Sequence, residues 1–293
     1  MAEQGGWSFA DDRGRVAEAE RRPSRVLAYV QAGATLWDLG VRSWSVFGSG
    51  HDGADIDPAK AGELPPDEVV CLGAGTALDV DALLRGAPDL VVAVSYGGGQ
   101  VYGLDPDTAK HLEEHVPVVV IDVGPSRTLA GTSDRFAELA RSLGAAVPSH
   151  AAEEREAARG RLRDAAQGGG VRVMALSPAD QDQAYVARPA LWPELAALHE
   201  LGVGLVDPPP GPGINWHTAP WAEVAALAPR VLLTDVRVNA APLSRLRAQP
   251  DWAALLDAGT LVVPWNPEPL CSAHAHARFL STVADALDSV RGE

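Results

Sequence analysis

Cysteine and histidine, two side chains that commonly bind transition metals, lie close together near the C-terminus at Cys271, His274 and His276. On a helix, residues two positions apart point to different faces, because positions three or four apart share a face. A metal site shared by the two histidines would therefore need a non-helical segment. The spacing favours the alternative interpretation, in which these residues stand at the solvated start of a helix.

Two further histidines, His51 and His217, lie in polar loop sequences in opposite halves of the chain. Neutral imidazole is a common metal ligand, so direct metal binding is one interpretation. We favour the other, in which both are polar residues at the edge of a ligand site. We accordingly predict that no protein side chain binds a metal ion directly.

Motifs for catalysis are weak in this sequence. Gly97-Gly98-Gly99 follows an apolar run, as phosphate loops do, but it has neither the GxGxxG spacing nor the P-loop lysine, and we interpret it as a turn lining a cleft. No GxSxG element supplies a nucleophilic serine. The paired carboxylates Asp11-Asp12 lie in a hairpin turn, and turn chemistry accounts for them. We therefore predict a binding protein without catalytic residues.

Length and composition indicate a globular protein of two domains. The chain has 293 residues, of which 46% are hydrophobic and 22% charged, enough for two cores. Its net charge of −15 argues against a nucleic-acid partner, since phosphate binding requires clustered Lys and Arg. Cys71 and Cys271 lie in opposite halves, so we predict no structural disulfide, and the redox compartment stays open.

The sequence gives two possible locations for the protein. No apolar run approaches the roughly 18 residues of a membrane span, and the first twenty residues contain no apolar signal-peptide core. We expect either a cytoplasmic protein or a mature protein whose leader was removed. In the second case the protein would be extracytoplasmic and tethered to the membrane.

Apolar runs of four to six residues alternate with helical stretches in both halves, which predicts βαβ units around parallel sheets. Residues 149–168 separate the halves, and Ser149 to Gln167 carries helix signals at both ends: a serine N-cap, early acids and a closing Gly168. Its apolar positions are mostly alanines, so we predict a helix that bridges rather than packs. The fold class is α/β: two Rossmann-like lobes, 1–148 and 169–293, joined by one long linker helix.

Smaller elements follow from the same patterns. The apolar run 26–30 predicts a first strand, with residues 31–33 as its outgoing loop and 34–39 as a short helix. The stretch 177–190 predicts a long loop that carries Tyr185 and Arg188. The stretch 207–218 contains too many prolines and glycines for regular structure.

The order of these elements resembles the iron-siderophore and cobalamin substrate-binding proteins of ABC importers, which have a helical-backbone (class III) periplasmic-binding-protein fold. The resemblance covers nearly the whole chain. In the first half it rests on the Asp-Asp-x-Gly hairpin turn, Pro23-x-Arg25-Val26, Leu39-Gly40, Leu83-Leu84, Pro88-Asp89-Leu90-Val91, Val116-Pro117-Val118-Val119 and Leu143-Gly144. In the second half it rests on the segment from Trp221 to Val231, and on Trp252, Val262-Val263 and Trp265.

This resemblance implies a ligand cleft between the lobes that captures one metal chelate for import, with no resident cofactor. The ligand implied is a ferric siderophore or a related chelate. Contacts in such proteins come from aromatic and arginine residues on loops at the strand ends, where aromatic faces pack on the chelate. The candidates in this chain are Tyr29, His51, Tyr96, Gln100, Tyr102, Tyr185, Arg188, Trp216, Arg237 and Trp265.

The resemblance also implies a partner, an ABC permease, which such proteins contact through one exposed acid on each lobe. Asp81 falls at that place in the first lobe. In the second lobe the matching position is Ala222, with Glu223 beside it, so Glu223 is the candidate there. We expect a monomer.

The alternative is an intracellular protein on the same fold that sequesters or chemically modifies a small metabolite or chelate. A nucleotide-dependent enzyme is disfavoured, because no glycine fingerprint follows the first strand of either half.

Overall fold

A computed structural model describes residues 6–53, 55–75 and 78–292, and the chain divides into two compact α/β units. Unit 1 contains the chain up to Ser149 together with a short return segment, Glu268–Ser272. Unit 2 contains His150–Pro267 and the chain from Ala273 onward. The α/β class predicted from the alternating patterns is confirmed. The assignment of the return segment to unit 1 has no counterpart in the sequence patterns.

Unit 1 is built on a five-stranded parallel sheet in the order β5-β4-β3-β6-β7. Its central strands are wholly apolar and buried, as expected for parallel strands covered on both faces. The strands are β3 (Val26–Tyr29), β4 (Ser43–Gly48), β5 (Val70–Ala74), β6 (Leu90–Ser95) and β7 (Val118–Asp122). The helices are α1 (Val30–Asp38), α2 (Pro58–Ala61), α3 (Val80–Arg85), α4 (Pro106–Glu113) and α5 (Leu129–Ser142).

The predicted hairpin at the start of unit 1 is confirmed as β1 (Trp7–Ala10) paired antiparallel with β2 (Val16–Ala19). The carboxylate of Asp11 accepts hydrogen bonds from the backbone N–H groups of Arg13 and Arg15, at 2.9 and 3.0 Å, as turn chemistry predicts. It also accepts one from Val120 in β7, at 3.3 Å. The turn therefore fastens the hairpin to the edge of the sheet.

The first helix begins earlier than the sequence indicated. Residues 31–33 were expected to form a loop, but α1 starts at Val30, directly after the last residue of β3. The segment is almost entirely buried, and burial of Val30 to Leu36 outweighs the low helix propensity of Gly33. The consequence is that Gln31 lies on the first turn of a helix next to the strand end.

Unit 2 contains a mixed sheet in the order β11-β9-β8-β12-β13, with β10 pairing with β8. Its strands are β8 (Arg172–Pro178), β9 (Gln183–Ala187), β10 (Gly204–Leu205), β11 (Trp216–Pro220), β12 (Val231–Asp235) and β13 (Leu261–Trp265). Its helices are α6 (His150–Ala166), α7 (Pro193–Glu200), α8 (Trp221–Ala226), α9 (Pro250–Asp257) and α10 (Ala273–Arg291), with 3-10 turns at Pro189–Leu191 and Leu243–Ala248.

Two predictions about loops in unit 2 are wrong. The stretches 177–190 and 207–218 were expected to be irregular, but they contain β9 and the start of β11. Both strands run antiparallel, β9 beside β8 and β11 beside β9. Short strands with prolines and glycines nearby have little propensity of their own, and they form here because neighbouring strands supply their hydrogen bonds.

Both faces of the unit 2 sheet are covered. Val173, Leu233 and Val263 belong to one buried cluster with α6, α7 and α10, whereas Met174 and Leu232 belong to another with α8 and α9. Successive strand residues alternate between these two clusters because strand side chains alternate between faces. None of the helices in the described residues combines the length and apolarity needed to cross a bilayer.

The helix predicted to separate the halves is present as α6, but the expectation that it bridges rather than packs is wrong. Ala158, Leu162 and Ala165 are buried in the core of unit 2. The helix packs against α10, and small side chains allow two helices to approach closely. Arg161 pairs with Asp285 across these helices. The alanine stripe is therefore a packing face.

Candidate functional site

The carboxyl ends of the unit 1 strands bring together residues that are distant in sequence. Tyr29 is the last residue of β3, Ser49 follows β4, and Tyr96 follows β6. These three strands are neighbours in the sheet and run parallel, so their ends share one edge. Ligand sites of open α/β sheets lie at this edge.

Three tyrosines form a cluster at that edge, which we name the tyrosine cluster: Tyr29, Tyr96 and Tyr102. The ring centroids of Tyr29 and Tyr102 lie 5.4 Å apart, and those of Tyr96 and Tyr102 lie 4.7 Å apart, both in edge-to-face geometry. The hydroxyl of Tyr96 donates to Gln31 Oε1 at 3.3 Å. Tyr96 and Tyr102 are half-buried, so part of each side chain is exposed to solvent.

The triple glycine between Tyr96 and Tyr102 forms the turn that pairs them. Gly97, Gly98 and Gly99 have φ values of 100°, 70° and 71°, a left-handed region that side chains with a Cβ rarely occupy. The backbone returns at once, and the N–H of Tyr102 donates to the carbonyl of Val94 at 2.9 Å. The glycines serve turn geometry, as the sequence indicated.

A buried ionic network lies beneath the tyrosine cluster. Lys60 is fully buried, and its Nζ lies 2.7 Å from Asp52 Oδ1 and 2.8 Å from Glu268 Oε1. Nζ also donates to the hydroxyl of Tyr29 at 3.3 Å, and that hydroxyl donates to Glu268 Oε2. Burial, together with the charge of Glu268, raises the pKa of the Tyr29 phenol well above its usual range. Tyr29 therefore remains a protonated donor.

Sequence reasoning missed Lys60, Asp52 and Glu268 as site residues. They lie in a four-residue helix, a glycine-rich loop and the return segment, which no sequence spacing connects. A buried lysine is rare unless it is paired, but burial cannot be recognised from the sequence of α2. Only the polar loop after β4 was visible as a candidate region.

The loop after β4, Gly48-Ser49-Gly50-His51-Asp52-Gly53, has GxGxxG spacing, but its structure argues against phosphate binding. The Asp52 carboxylate accepts from the backbone N–H of Ser49 at 2.6 Å and from its hydroxyl at 2.9 Å. A carboxylate thus already occupies a donor that a phosphate oxygen would use.

The return segment is held by α1. Gln31 Nε2 donates to the carbonyl of Pro269 at 2.7 Å, and the backbone N–H of Cys271 donates to Thr35 Oγ1 at 2.9 Å. Ser272 donates to Asp38 at the end of the same helix. Glu268 is therefore fixed in place for its contacts with Lys60 and Tyr29.

The two histidines near the start of α10 lie in different surroundings. His274 is exposed and lies 3.3 Å from Glu154, whereas His276 is buried. Burial, with a smaller contribution from Arg155, lowers the pKa of His276 to about 3. The two histidines point to different faces near the start of α10, as their spacing predicts.

Unit 2 has an aromatic group of a different kind, which we name the tryptophan cluster: Trp192, Trp216 and Trp265. The centroid distances are 4.8 Å between Trp192 and Trp216, 5.7 Å between Trp192 and Trp265, and 5.9 Å between Trp216 and Trp265. Trp216 is partly exposed, while the other two are buried. Trp216 therefore offers an indole face to solvent on a rigid aromatic base.

A buried carboxyl group supports the tryptophan cluster. Trp265 Nε1 donates to Glu194 Oε1 at 3.2 Å, and Glu194 is buried in the first turn of α7. Burial raises the pKa of Glu194 to about 8, although the Trp265 hydrogen bond and the charge of Arg237 oppose the shift. Neither Glu194 nor Trp192 was predicted, because their helix-start sequence resembles ordinary core and capping positions.

The remaining candidates of unit 2 lie at strand ends or edges. Arg237 follows β12, and its Nη2 lies 2.9 Å from Asp235 Oδ2. Arg188 follows β9, and its Nη1 donates to the carbonyl of Pro209 at 3.1 Å. Tyr185 lies within β9 and is 40% exposed. His217 in β11 lies 2.9 Å from Glu223 Oε1.

Two of the predicted contact residues need a corrected role. Tyr29 is fully buried, and Trp265 is only 2% exposed. Each is the last residue of an apolar strand and remains in the core, so each supports an aromatic cluster from beneath. The other candidates of unit 1, His51 and Gln100, lie on exposed loops after β4 and β6. Their contact with a ligand stays a prediction, as it does for the candidates of unit 2.

The two candidate docking acids differ in their surroundings. Asp81 is exposed in the first turn of α3. Glu223 lies in the first turn of α8 and shares a hydrogen bond with His217. Their role in docking stays a prediction.

Comparison with known proteins gives a clear structural class. No family profile and no curated sequence matches the chain. The ferric-siderophore receptor protein DesE from Streptomyces coelicolor is 27% identical, with 96% of this chain and 98% of that chain aligned and a TM-score of 0.86. The siderophore periplasmic binding protein from the fuscachelin gene cluster of Thermobifida fusca is 17% identical, with 91% and 97% aligned and a TM-score of 0.63.

A third similar structure is the periplasmic heme-binding protein RhuT from Roseiflexus sp. RS-1, in its apo form. It is 17% identical, with 92% of this chain and 99% of that chain aligned and a TM-score of 0.61. Fold and strand-end aromatic clusters therefore define a substrate-binding protein of the class III fold. The chain is similar in fold to iron-siderophore and heme-binding members of that class.

Proposed function

We propose that this protein captures an iron-siderophore-type metal chelate by reversible binding, for import by an ABC transporter. The single observation that carries the proposal is the likeness to the ferric-siderophore receptor DesE along nearly the full length of both chains. The chelate is the cargo, and the protein needs no resident cofactor to hold it.

The side chains at the strand ends support this proposal. Tyr96 and Tyr102 each combine a ring face with a hydroxyl, and Trp216 offers an indole face. A chelate of this type has an apolar framework around polar oxygens, so it needs flat apolar contacts and a few hydrogen-bond donors. His51 and Gln100 add polar groups on exposed loops of unit 1.

The rigid support beneath these groups favours affinity. The turn at Gly97–Gly99 and the hydrogen bond from Tyr96 to Gln31 restrict the tyrosines before any ligand arrives. Trp216 packs on two buried tryptophans. Ordering side chains in advance lowers the entropic cost of binding.

We propose an ABC permease as the protein partner and a monomer as the working form. Asp81 is exposed and available for an arginine of the permease. Glu223 has the same role in unit 2, where its carboxylate would contact the permease and His217 together. The His217 ring nitrogen Nε2 lies 2.9 Å from Glu223 Oε1.

Quenching of tryptophan fluorescence tests the proposed function. Ferric hydroxamates, ferric catecholates, haem and cobalamin are each titrated into the protein, and at least one ferric chelate should quench with micromolar or tighter affinity. Trp216→Phe should reduce the quenching amplitude. Trp44→Phe is the matched control, because Trp44 lies at the amino end of β4, under the guanidinium of Arg25 and away from the carboxyl ends of the strands. Absence of binding across the whole panel would contradict the proposal.

A further inference from the structure

The C-terminal end of α4 brings together two histidines and a glutamate, which we name the α4 cluster: His111, Glu114 and His115. One potential ligand atom from each of these side chains lies within 4.8 Å of the other two, and all three residues are exposed. The imidazole centroids of His111 and His115 are 4.6 Å apart. Residues four positions apart at a helix end share a face, unlike the pair His274 and His276. The spacing that a shared metal site needs is therefore present here.

A hydrogen bond fixes the ring of His115. Its Nδ1 lies 2.8 Å from the carbonyl oxygen of His111. Because a carbonyl oxygen only accepts hydrogen bonds, Nδ1 carries the proton, and in the neutral ring the lone pair is then on Nε2. Histidines that bind metals commonly have this arrangement, with one ring nitrogen on the metal and the other donating to a carbonyl or carboxylate. His115 is therefore oriented as a ligand before any ion binds.

The backbone beneath the α4 cluster is held in place. The N–H groups of His115 and Val116 both donate to the carbonyl of Leu112, at 3.0 and 2.9 Å, and Leu112 and Val116 are buried. The chain then enters β7 at Val118. The cluster thus lies at the amino end of β7, on the opposite edge of the parallel sheet from the tyrosine cluster. It is separate from the candidate chelate site.

The charges around the α4 cluster leave one carboxylate available for a metal ion. Glu113 pairs with Arg13 and Arg15 of the hairpin turn. The side chain of Glu114 is 57% exposed, and its nearest cation is Lys110, whose Nζ lies 3.9 Å from Oε1. An exposed ion pair of this length contributes little free energy. A divalent ion that is also bound by two imidazoles can therefore displace the lysine.

We propose that the α4 cluster binds one divalent ion of the Ni²⁺, Cu²⁺ or Zn²⁺ kind through His111, Glu114 and His115. Imidazole suits these ions, whereas Mg²⁺ and Ca²⁺ prefer oxygen ligands. Each ligand atom lies about 2 Å from such an ion, so two of them are at most about 4 Å apart. The exposed side chains reach this geometry by small rotations, and water completes the coordination. The site goes beyond the proposed function and departs from the prediction, made from the sequence, that no protein side chain binds a metal ion directly.

Isothermal titration calorimetry with Zn²⁺ tests the site. We expect one ion per chain to bind with roughly micromolar affinity, and the affinity should fall about tenfold or more in His111→Gln and in His115→Gln. His199→Gln is the matched control. His199 is likewise an exposed histidine beside a glutamate in the last turn of a helix, but no second histidine lies four positions away. Mg²⁺ in place of Zn²⁺ should give no measurable binding.

A gain of affinity distinguishes metal binding from a purely structural role. Lys110→Gln removes the ammonium group that competes for Glu114, so Zn²⁺ should bind about twofold to threefold more tightly. In the double variant with Glu114→Gln this gain should disappear. Equal affinity of Lys110→Gln and the parent protein would overturn the assignment of Glu114 as a ligand.

Paramagnetic Ni²⁺ locates the bound ion. In a ¹⁵N–¹H correlation spectrum, Ni²⁺ should broaden the amide signals of residues 108–117 before those near His51, His150 or His274. Broadening centred on another histidine would overturn the inference, as would unchanged Zn²⁺ affinity in both His111→Gln and His115→Gln. No chelate enters these experiments, so their outcome is independent of the proposed function.

Discussion

The two units support their strand-end aromatic residues in different ways. Unit 1 places phenols above a network in which Lys60, Asp52 and Glu268 share their charges. Unit 2 places indoles above the buried carboxyl group of Glu194. The first arrangement stabilises charged groups by pairing them, whereas the second stabilises a carboxyl group by keeping its proton. Aromatic residues at the strand ends are therefore supported by paired charges in unit 1 and by a protonated carboxyl group in unit 2.

The contrast also predicts what each cluster can offer a ligand. The tyrosine cluster has phenol oxygens, which can accept as well as donate hydrogen bonds; those of Tyr29 and Tyr96 donate to Glu268 and Gln31. In the tryptophan cluster two indole N–H groups already donate hydrogen bonds within the protein. Trp265 donates to Glu194, and Trp192 donates to the carbonyl of Asn215. Unit 1 is thus suited to polar contacts and unit 2 to apolar stacking.

The largest effect should follow from breaking the network of unit 1. Lys60→Met removes the buried ammonium group that lies between Asp52 and Glu268 and leaves two buried carboxylates without that cation, so the free energy of unfolding should fall by about 3–5 kcal/mol. Urea denaturation at neutral pH measures the change. Lys110→Met is the control, because its side chain is 76% exposed and pairs only loosely with Glu114. Equal stability of the two variants would show that the network contributes no specific stabilisation.

The next effect is a pH dependence that belongs to unit 2. The pKa of Glu194 is about 8 in the folded protein and is 4.5 for an ordinary glutamate, so folding favours the protonated form. The resulting stabilisation is complete at pH values below 4.5, the ordinary pKa that applies to the unfolded chain. It is lost as the pH rises through about 8, the pKa in the folded protein. We expect a loss on the order of 3 kcal/mol across this window in the parent protein, and a much flatter profile in Glu194→Gln.

Thermal or urea unfolding at a series of pH values from mildly acidic to mildly alkaline measures this slope. Glu200→Gln is the matched control, because Glu200 lies on the same helix but is exposed. The assignment is wrong if Glu194→Gln keeps the parent slope while its fold is intact.

A smaller effect of opposite sign should come from His276, which lies in unit 2 outside the tryptophan cluster. Its pKa is about 3 in the folded protein against 6.5 ordinarily, so folding favours the neutral ring. The resulting stabilisation is complete at pH values above 6.5, the ordinary pKa. It is lost as the pH falls toward the pKa in the folded protein, and the loss should reach about 2 kcal/mol near pH 5. His276→Gln should remove this acid sensitivity, as unfolding curves at several acidic pH values would show.

His274→Gln is the control for this experiment, because His274 is exposed on the same helix. Its acid profile should match that of the parent protein. A parent protein whose stability stays constant from neutral pH to about pH 5 would contradict the buried, neutral state of His276.

Much of the architecture could be predicted from periodicity alone. Apolar runs such as Val26–Tyr29 and Leu90–Val94 predict buried parallel strands, and they form the centre of the unit 1 sheet. The antiparallel strands β9 and β11 could not be predicted in this way, because their pairing with β8 and with each other supplies what their local sequence lacks. The packing of α6 was missed for a related reason, since an alanine stripe has the same pattern on a surface helix and on a helix packed closely against α10.

The candidate site likewise has some features that the sequence predicts and others that only the folded structure shows. The amino-acid sequence by itself determined the α/β class, the turn at Gly97–Gly99 and the aromatic residues next to strand ends, because these depend on local backbone preferences and on the spacing of apolar residues. Only the tertiary structure decided that Lys60 meets Asp52 and Glu268, that Glu194 lies beneath Trp265, and that Tyr29 is buried. Those contacts join residues far apart along the chain, and burial and electrostatic pairing arise only when the chain has folded.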